Sequence, residues 1–224
     1  MQNTQQAVGI FGGSFDPIHF GHLRAALELA FTFDLADVRL IPNGQPPHRD
    51  AALANAEQRG EMLELALRNA VPLSLDRCEL DRSGPSYSID TLQSLRAELA
   101  ADTPLIMGVG ADAFQQLASW RRGRELIEYA HIAVLTRPGS PLASDADVEL
   151  PFAADWVTDP TRLIEQPCGL VYKLEMTPLA ISSTRIRQQI AAGWSPRYLV
   201  PESVCNYIEQ HNLYATDMAH SRNT

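Results

Sequence analysis

Two histidines three residues apart, His19 and His22, follow a glycine-rich turn near the start of the chain. The apolar run before them, 7–11, is typical of a buried parallel strand, and the apolar spacing from His22 onward is typical of a helix. A strand, a glycine turn and a helix N-terminus together present free N–H groups and partial positive charge to an anion. Because residues three apart share one side of a helical turn, both imidazoles can reach one phosphate. We therefore predict that His19 and His22 are catalytic donors to a phosphate that gains charge.

The same stretch has simpler interpretations. No Gly-Lys-Ser/Thr follows the glycines and no G-x-G-x-x-G pattern is present, which excludes the P-loop and the dinucleotide fingerprint. A zinc site would need one or two further ligands, and no cysteine or pair of acids nearby supplies them. The histidines could also begin a helix without any chemistry. We predict no metal ligands in the protein.

A second candidate phosphate site is the stretch 181–187, with the letters ISSTRIR. Hydroxyls and free amides at a helix start can hold phosphate oxygens, and arginine adds charge-assisted hydrogen bonds. The simpler interpretation is that a serine only caps the helix. The candidate phosphate-binding residues of this stretch are Ser182, Ser183, Thr184 and Arg187.

Both stretches resemble motifs of the H-x-G-H nucleotidylyltransferase superfamily. The first matches in His19-Phe20-Gly21-His22, and 181–187 matches the I-S-S-T-x-I-R motif with every fixed letter present. The resemblance implies that both histidines donate hydrogen bonds to the triphosphate of ATP and that the second stretch binds the same triphosphate. It also implies that the nucleotide lies on the glycine-rich loop, at Gly12, Gly13, Ser14, Phe15 and Gly21.

Segments between these motifs resemble the nicotinate-nucleotide adenylyltransferases. Residues 46–49 are similar to their P-P-H-K loop, with Arg49 in place of lysine, which keeps the charge but changes its shape. Residues 86–92 are similar to S-Y-T-I-D-T-L, with Ser88 where threonine is usual. Residues 108–112, Trp120 and 137–139 also fall in the family's order, so the resemblance covers roughly residues 7–210.

This resemblance also implies a substrate pocket. A pyridine-carboxylate ring would stack on Trp120, and its carboxylate would bind backbone amides near Ser88 and Arg121, where the family often has an aromatic residue. Trp120 could instead be a core residue, and Asp112 could be a helix N-cap. The predicted substrate-binding residues are Asp16, His48, Arg49, Tyr87, Ser88, Trp120, Arg121 and Arg137. Gly110 and Asp112 are predicted at the nucleotide, and we expect the loop 43–50 to close over the substrate.

Strand-like apolar runs alternate with helical patterns along the chain. This alternation predicts an α/β, Rossmann-like doubly wound fold, with a mainly parallel sheet and helices on both faces. Strands are predicted at 7–11, 38–42, 73–80, 105–110, 132–136, 155–158 and 170–176. The longer helices are predicted from 22 and at 57–69, 88–100, 181–192 and 201–211. We expect one domain over 1–224, with 1–6 and 212–224 frayed.

Composition limits the partners. The formal net charge of −9 argues against nucleic-acid binding. No apolar run approaches the ~18 residues of a membrane span, and the N-terminus lacks the pattern of a secretion signal. The three cysteines, Cys78, Cys168 and Cys205, show no C-x-x-C spacing, so we expect reduced thiols in a cytoplasmic protein. The sequence leaves homo-oligomerisation open.

The resemblance implies an enzyme of NAD biosynthesis. It would transfer the adenylyl group of ATP to nicotinate mononucleotide, giving nicotinate adenine dinucleotide (deamido-NAD) and pyrophosphate, with Mg²⁺ carried by ATP. The substrate phosphate is itself the nucleophile, so no Ser, Cys or Asp needs activation. Three alternatives stay open: preference for nicotinamide mononucleotide, preference for phosphopantetheine, and a nucleotide sensor without catalysis.

Overall fold

The fold is built on one sheet of seven parallel strands, in the order β3-β2-β1-β4-β5-β7-β6. The computed structural model describes residues 6–45, 52–136 and 154–215. The strands are β1 (Val8–Gly13), β2 (Asp37–Pro42), β3 (Leu73–Leu75), β4 (Leu105–Gly110), β5 (His131–Thr136), β6 (Asp155–Val157) and β7 (Leu170–Glu175). The predicted parallel sheet is confirmed.

Six α-helices connect and flank these strands in the described residues. They are α1 (Phe20–Thr32), α2 (Ala56–Ala66), α3 (Ser88–Glu98), α4 (Ala111–Gln115), α5 (Ser183–Ala191) and α6 (Glu202–Gln210). Short 3₁₀ segments lie at Leu117–Ser119, Gly123–Glu128 and Pro160–Ile164. None of the helices in these ranges combines the length and apolar character that crossing a membrane requires.

Helices cover both faces of the sheet, as predicted. One apolar cluster unites α1, α2, α5 and α6, through side chains such as Leu29, Met62, Ile186 and Val204. A second cluster on the other face includes Ile89 and Leu92 of α3 and Phe114 of α4. The strand order reverses between β1 and β4, and ligands of open parallel sheets bind at the carboxyl ends of such strands.

Several elements end earlier than predicted. The predicted strand 73–80 is wrong beyond Leu75, because Asp76 Oδ1 accepts the N–H of Cys78 at 2.9 Å and the chain turns. Helix α2 begins at a capping box of Asn55 and Gln58 and ends at Ala66, three residues before its predicted end at 69. Asn69, which was predicted inside that helix, has a φ of 63°, in the left-handed region where a right-handed helix cannot continue.

The start of the predicted frayed C-terminus has a defined place. Leu213 and Tyr214 pack against the apolar cluster that contains α1 and α2. The N–H of Leu213 donates to the carbonyl of Ile208 at 3.0 Å, which turns the chain back after α6. Leu213 and Tyr214 therefore bury apolar surface within the segment that was predicted to fray, whereas Asn212 and Ala215 are exposed.

Candidate active site

The two histidines lie together at the start of α1. His19 is the N-cap residue, and its Nδ1 accepts the backbone N–H of His22 at 3.3 Å. The two imidazole rings stack, with centroids 3.7 Å apart. An Nδ1 that accepts a hydrogen bond places the proton of neutral His19 on Nε2, which is the tautomer that a donor to phosphate requires.

Phe15 packs against the His22 ring. Its side chain is fully buried, and its ring meets that of His22 edge to face at 5.1 Å. Its φ of 48° belongs to the sharp turn after β1. Phe15 therefore supports the His22 ring from the core, and only its backbone remains for a contact with a nucleotide.

The start of α5 meets the loop that precedes His19. The Ser183 hydroxyl donates to the carbonyl of Pro17 at 3.0 Å, across 166 residues of sequence. Arg187 Nη1 donates to the carbonyl of Asp16 at 2.8 Å, and Arg187 Nη2 lies 3.5 Å from Thr184 Oγ1. Hydrogen bonds thus join the two predicted phosphate-binding stretches into one site.

Ser182 is also the N-cap of α5. Its Oγ accepts the N–H of Arg185 at 3.3 Å, as the simpler interpretation of the Ser-Ser-Thr run required. The residue itself is exposed, as is Thr184. Capping occupies only one lone pair of the hydroxyl, so it does not exclude a ligand contact.

A pocket of about 340 Å³ opens at the carboxyl ends of β1, β2 and β4. Eight predicted site residues line it: Gly12, Gly13, Tyr87, Ser88, Gly110, Asp112, Trp120 and Arg121. The Arg121 guanidinium carbon lies 4.5 Å from the centroid of the Tyr87 ring. Trp120 is half-buried beside the 3₁₀ segment Leu117–Ser119. The N-cap of α4 is Gly110, so the alternative that Asp112 caps this helix is wrong.

Asp16 does not line this pocket. It is only 3% exposed, and its carboxylate accepts the N–H groups of Leu53 at 2.9 Å and Ala54 at 3.1 Å. The hydroxyl of Tyr214 donates to the same carboxylate at 2.7 Å. The carboxylate of Asp16, which was predicted to bind substrate, thus accepts three protein donors. Three other predicted residues, His48, Arg49 and Arg137, lie outside the described residues, as do most of the loop 43–50 and its predicted closure.

Sequence reasoning missed a polar wall of the pocket. Glu79 is buried, and its carboxylate accepts Asn43 Nδ2 at 3.0 Å and Thr91 Oγ1 at 2.8 Å. Ser86 Oγ accepts the N–H of Gly44 at 3.0 Å, and a Cβ on Gly44 would lie 2.3 Å from the carbonyl of Glu79. In the sequence, only the Asn-Gly pair after β2 indicated a tight turn at this place. Glu79 reaches the site because β3 ends early, which no spacing in the sequence indicates.

Arg59 joins the loops that follow β1 and β2. Its side chain lies in the core at 2% exposure and donates to the carbonyls of Ser14 at 2.8 Å and Gly44 at 3.2 Å. Burial lowers the pKa of Arg59, and the nearby Asp16 carboxylate opposes that effect. This buried cation therefore holds two rims of the site at a fixed separation.

Known proteins share this sequence and arrangement. A family model described as cytidylyltransferase-like matches residues 10–189. A Pseudomonas paraeruginosa protein named probable nicotinate-nucleotide adenylyltransferase is 49% identical over 213 residues, covering 92% of this chain and 96% of its own length. A Methylococcus capsulatus protein of the same name is 47% identical over 209 residues, with 93% and 99% covered. This chain belongs to the nicotinate-nucleotide adenylyltransferase family. The family predicted from the motifs is thereby confirmed, and the chain is a nucleotidyltransferase.

A solved structure supports the fold of this family member. The Plasmodium falciparum nicotinic acid mononucleotide adenylyltransferase complexed with NaAD superposes with a TM-score of 0.71. It is 18% identical, and the match covers 93% of this chain and 97% of that protein. At that identity the likeness concerns the fold, and it confirms the predicted Rossmann-like architecture.

Proposed function

We propose that the chain transfers the adenylyl group of ATP to nicotinate mononucleotide, which yields nicotinate adenine dinucleotide and pyrophosphate in the synthesis of NAD. The observation that supports this most directly is the meeting of the two phosphate-binding stretches beside the Trp120 pocket. Ser183 contacts Pro17 and Arg187 contacts Asp16 at 3.0 and 2.8 Å. The names of the relatives, which cover nearly the whole chain, agree with this reaction.

The reaction asks the protein for position and charge. A phosphate oxygen of nicotinate mononucleotide attacks the α-phosphorus of ATP, and the bond from that phosphorus to the pyrophosphate oxygen breaks. No proton needs to leave the attacking oxygen. The work is to align the two groups and to stabilise negative charge as it grows. We assign that charge stabilisation to His19 and His22 at the N-terminus of α1.

We assign the binding of the leaving pyrophosphate to the start of α5. The Ser183 hydroxyl already donates its proton to Pro17, so we assign the contacts to the β- and γ-phosphates to N–H groups of the first turn, to Arg187 and to the exposed hydroxyls of Ser182 and Thr184. Mg²⁺ carried by ATP would supply further charge neutralisation on the triphosphate. Within the described ranges, no group of three or more His, Cys, Asp or Glu residues is arranged to hold a metal ion.

The part of the pocket beside Ser88 and Trp120 suits a pyridine ring that carries a carboxylate. Ser88 lines the pocket and is the first residue of α3, whose N-cap, Tyr87, forms no side-chain capping bond. The N–H groups of that first turn and its helix dipole favour a carboxylate over a neutral amide. Trp120 supplies a flat face on which the pyridine ring can stack. We therefore propose the nicotinate form, rather than the nicotinamide form, as the preferred substrate.

The test measures pyrophosphate release with ATP and Mg²⁺ in three parallel reactions. Nicotinate mononucleotide should exceed its amide analogue by about 100-fold in kcat/KM, since a site built for a polar group strongly rejects the analogue that lacks it. Phosphopantetheine should give no release above background. Preference for the amide would contradict the assignment around Ser88. ATP binding without release in all three reactions would contradict the transfer itself and favour a nucleotide sensor.

A further inference from the structure

The chain returns to the active site after its last described helix. Helix α6 is fixed on α2, because the Tyr207 hydroxyl donates to Glu61 and Ser203 Oγ donates to the carbonyl of Leu65 at 3.1 Å. Beyond α6, Asn212 and Tyr214 have φ values of 50° and 64°. These two left-handed residues reverse the chain, so that the Tyr214 side chain enters the body of the protein.

Tyr214 completes the surroundings of the Asp16 carboxylate. Its hydroxyl donates to Oδ1 at 2.7 Å, beside the N–H of Ala54, while the N–H of Leu53 donates to Oδ2. Arg187 Nη1 lies 3.8 Å from Oδ2. Burial first, and then the Asp16 charge, raise the pKa of Tyr214, so the phenol stays protonated and remains a donor. A buried carboxylate depends on such donors, because each one it loses leaves charge without compensation.

Asp16 is in turn joined to both phosphate-binding stretches. Its own carbonyl accepts Arg187, and the next residue, Pro17, accepts Ser183 of α5. Two residues beyond Pro17, His19 caps α1. A shift of the Asp16 carboxylate would therefore move the turn that carries the histidines relative to the helix that holds the leaving group.

We propose that Tyr214 is a positioning residue for adenylyl transfer, which acts through Asp16 to fix the His19 turn against α5. This inference rests on the proposed function. Tyr214 touches no reacting group. Its hydroxyl limits the positions that the Asp16 carboxylate can take, and alignment in the transition state is sensitive to displacements of about 1 Å.

Tyr214→Phe removes only the hydroxyl, and the chain offers a matched control. Tyr207→Phe also removes a phenol that donates to a carboxylate, but that carboxylate, Glu61, lies on α2. We expect Tyr214→Phe to lower kcat about tenfold with the KM for ATP within about threefold, because alignment rather than ground-state binding is lost. Tyr207→Phe should keep kcat within about twofold, whatever its effect on melting temperature. Equal kcat values for the two variants would overturn the inference.

A double-mutant cycle tests the route through Asp16. Asp16→Asn keeps the shape but replaces an acceptor with a donor, and it should lower kcat on its own. In the Asp16→Asn background, adding Tyr214→Phe should lower kcat by less than a further factor of about two, because the two residues act as a unit. A double variant whose loss of kcat equals the product of the two single losses would contradict the route through Asp16. An inactive wild-type protein would instead contradict the proposed function, so the two failures are distinguishable.

Discussion

At the scale of single residues, the site places two imidazoles where one anion can meet both. The His19 and His22 rings stack at the N-terminus of α1, and the His22 ring meets the Phe15 ring edge to face. Packing on one side and the N-cap bond on the other fix their orientation before any ligand arrives. Such preorganisation makes a donor effective in a transition state, because no reorganisation is needed at the moment of reaction.

Removing either imidazole should therefore reduce turnover strongly. We expect His19→Ala and His22→Ala each to lower kcat by roughly 10²–10³-fold, the usual loss for one preorganised donor. Steady-state pyrophosphate release with nicotinate mononucleotide measures it. His211→Ala is the control, since His211 is an exposed residue just after α6. A kcat close to that of the wild type in either site variant would contradict the assignment of donors.

At the scale of elements, the loops after the neighbouring strands β1 and β2 are joined by a buried side chain. Arg59 comes from α2 and reaches the loops after β1 and β2 through the carbonyls of Ser14 and Gly44. Ser86 and Glu79 hold the second loop from the other side. The pocket rim therefore owes its shape to long-range polar contacts between irregular segments.

Lysine cannot replace Arg59 in this position. Its single ammonium is a point donor and cannot span two carbonyls as the planar guanidinium does. We expect Arg59→Lys to lower the free energy of unfolding by about 1–3 kcal/mol, since one buried carbonyl loses its donor. Urea unfolding measures this value. Arg68→Lys, an exposed change just beyond the end of α2, should stay within about 0.5 kcal/mol. Equal effects of both changes would exclude Arg59 as a link between the loops.

These two scales differ in what the sequence could predict. The histidine pair, the start of α5 and the positions of most strands all follow local patterns, because glycine turns, caps and apolar periodicity depend on neighbouring residues. The roles of Glu79, Arg59 and Asp16 depend on partners dozens of residues away, which no local pattern contains. The family resemblance supplied Trp120 and Ser88 as pocket residues, whereas without it a core position for Trp120 was an equally open alternative.

At the scale of the whole molecule, both apolar clusters pack against one parallel sheet. His131 illustrates how the stability of that sheet depends on pH. It begins β5 and is fully buried, with Nε2 2.8 Å from the carbonyl of Gln166 and Nδ1 accepting the N–H of Leu170 at 3.1 Å. Burial lowers the pKa of His131 to about 4. The native state thus favours the neutral ring.

This shift gives a signed prediction for stability. The unfolded chain binds a proton near the ordinary histidine pKa of about 6.5, and the folded chain does so only near 4. The contribution of His131 is complete above pH 6.5 and is lost as the pH falls toward 4, by up to about 3 kcal/mol. Urea unfolding between pH 7.5 and 4 should show that the free energy of unfolding falls less steeply with decreasing pH in His131→Asn than in the wild type. Identical slopes would contradict it.

The bond from Tyr214 to Asp16 has a consequence for how the protein is made. A ribosome delivers the chain from its N-terminus, so the glycine-rich turn emerges first. The donors that hold it come from residues 53, 54, 187 and 214, and the last of these is synthesised only after the final described helix. A nascent chain that has not yet reached residue 214 therefore lacks one of the donors that orient Asp16 beside the His19 turn.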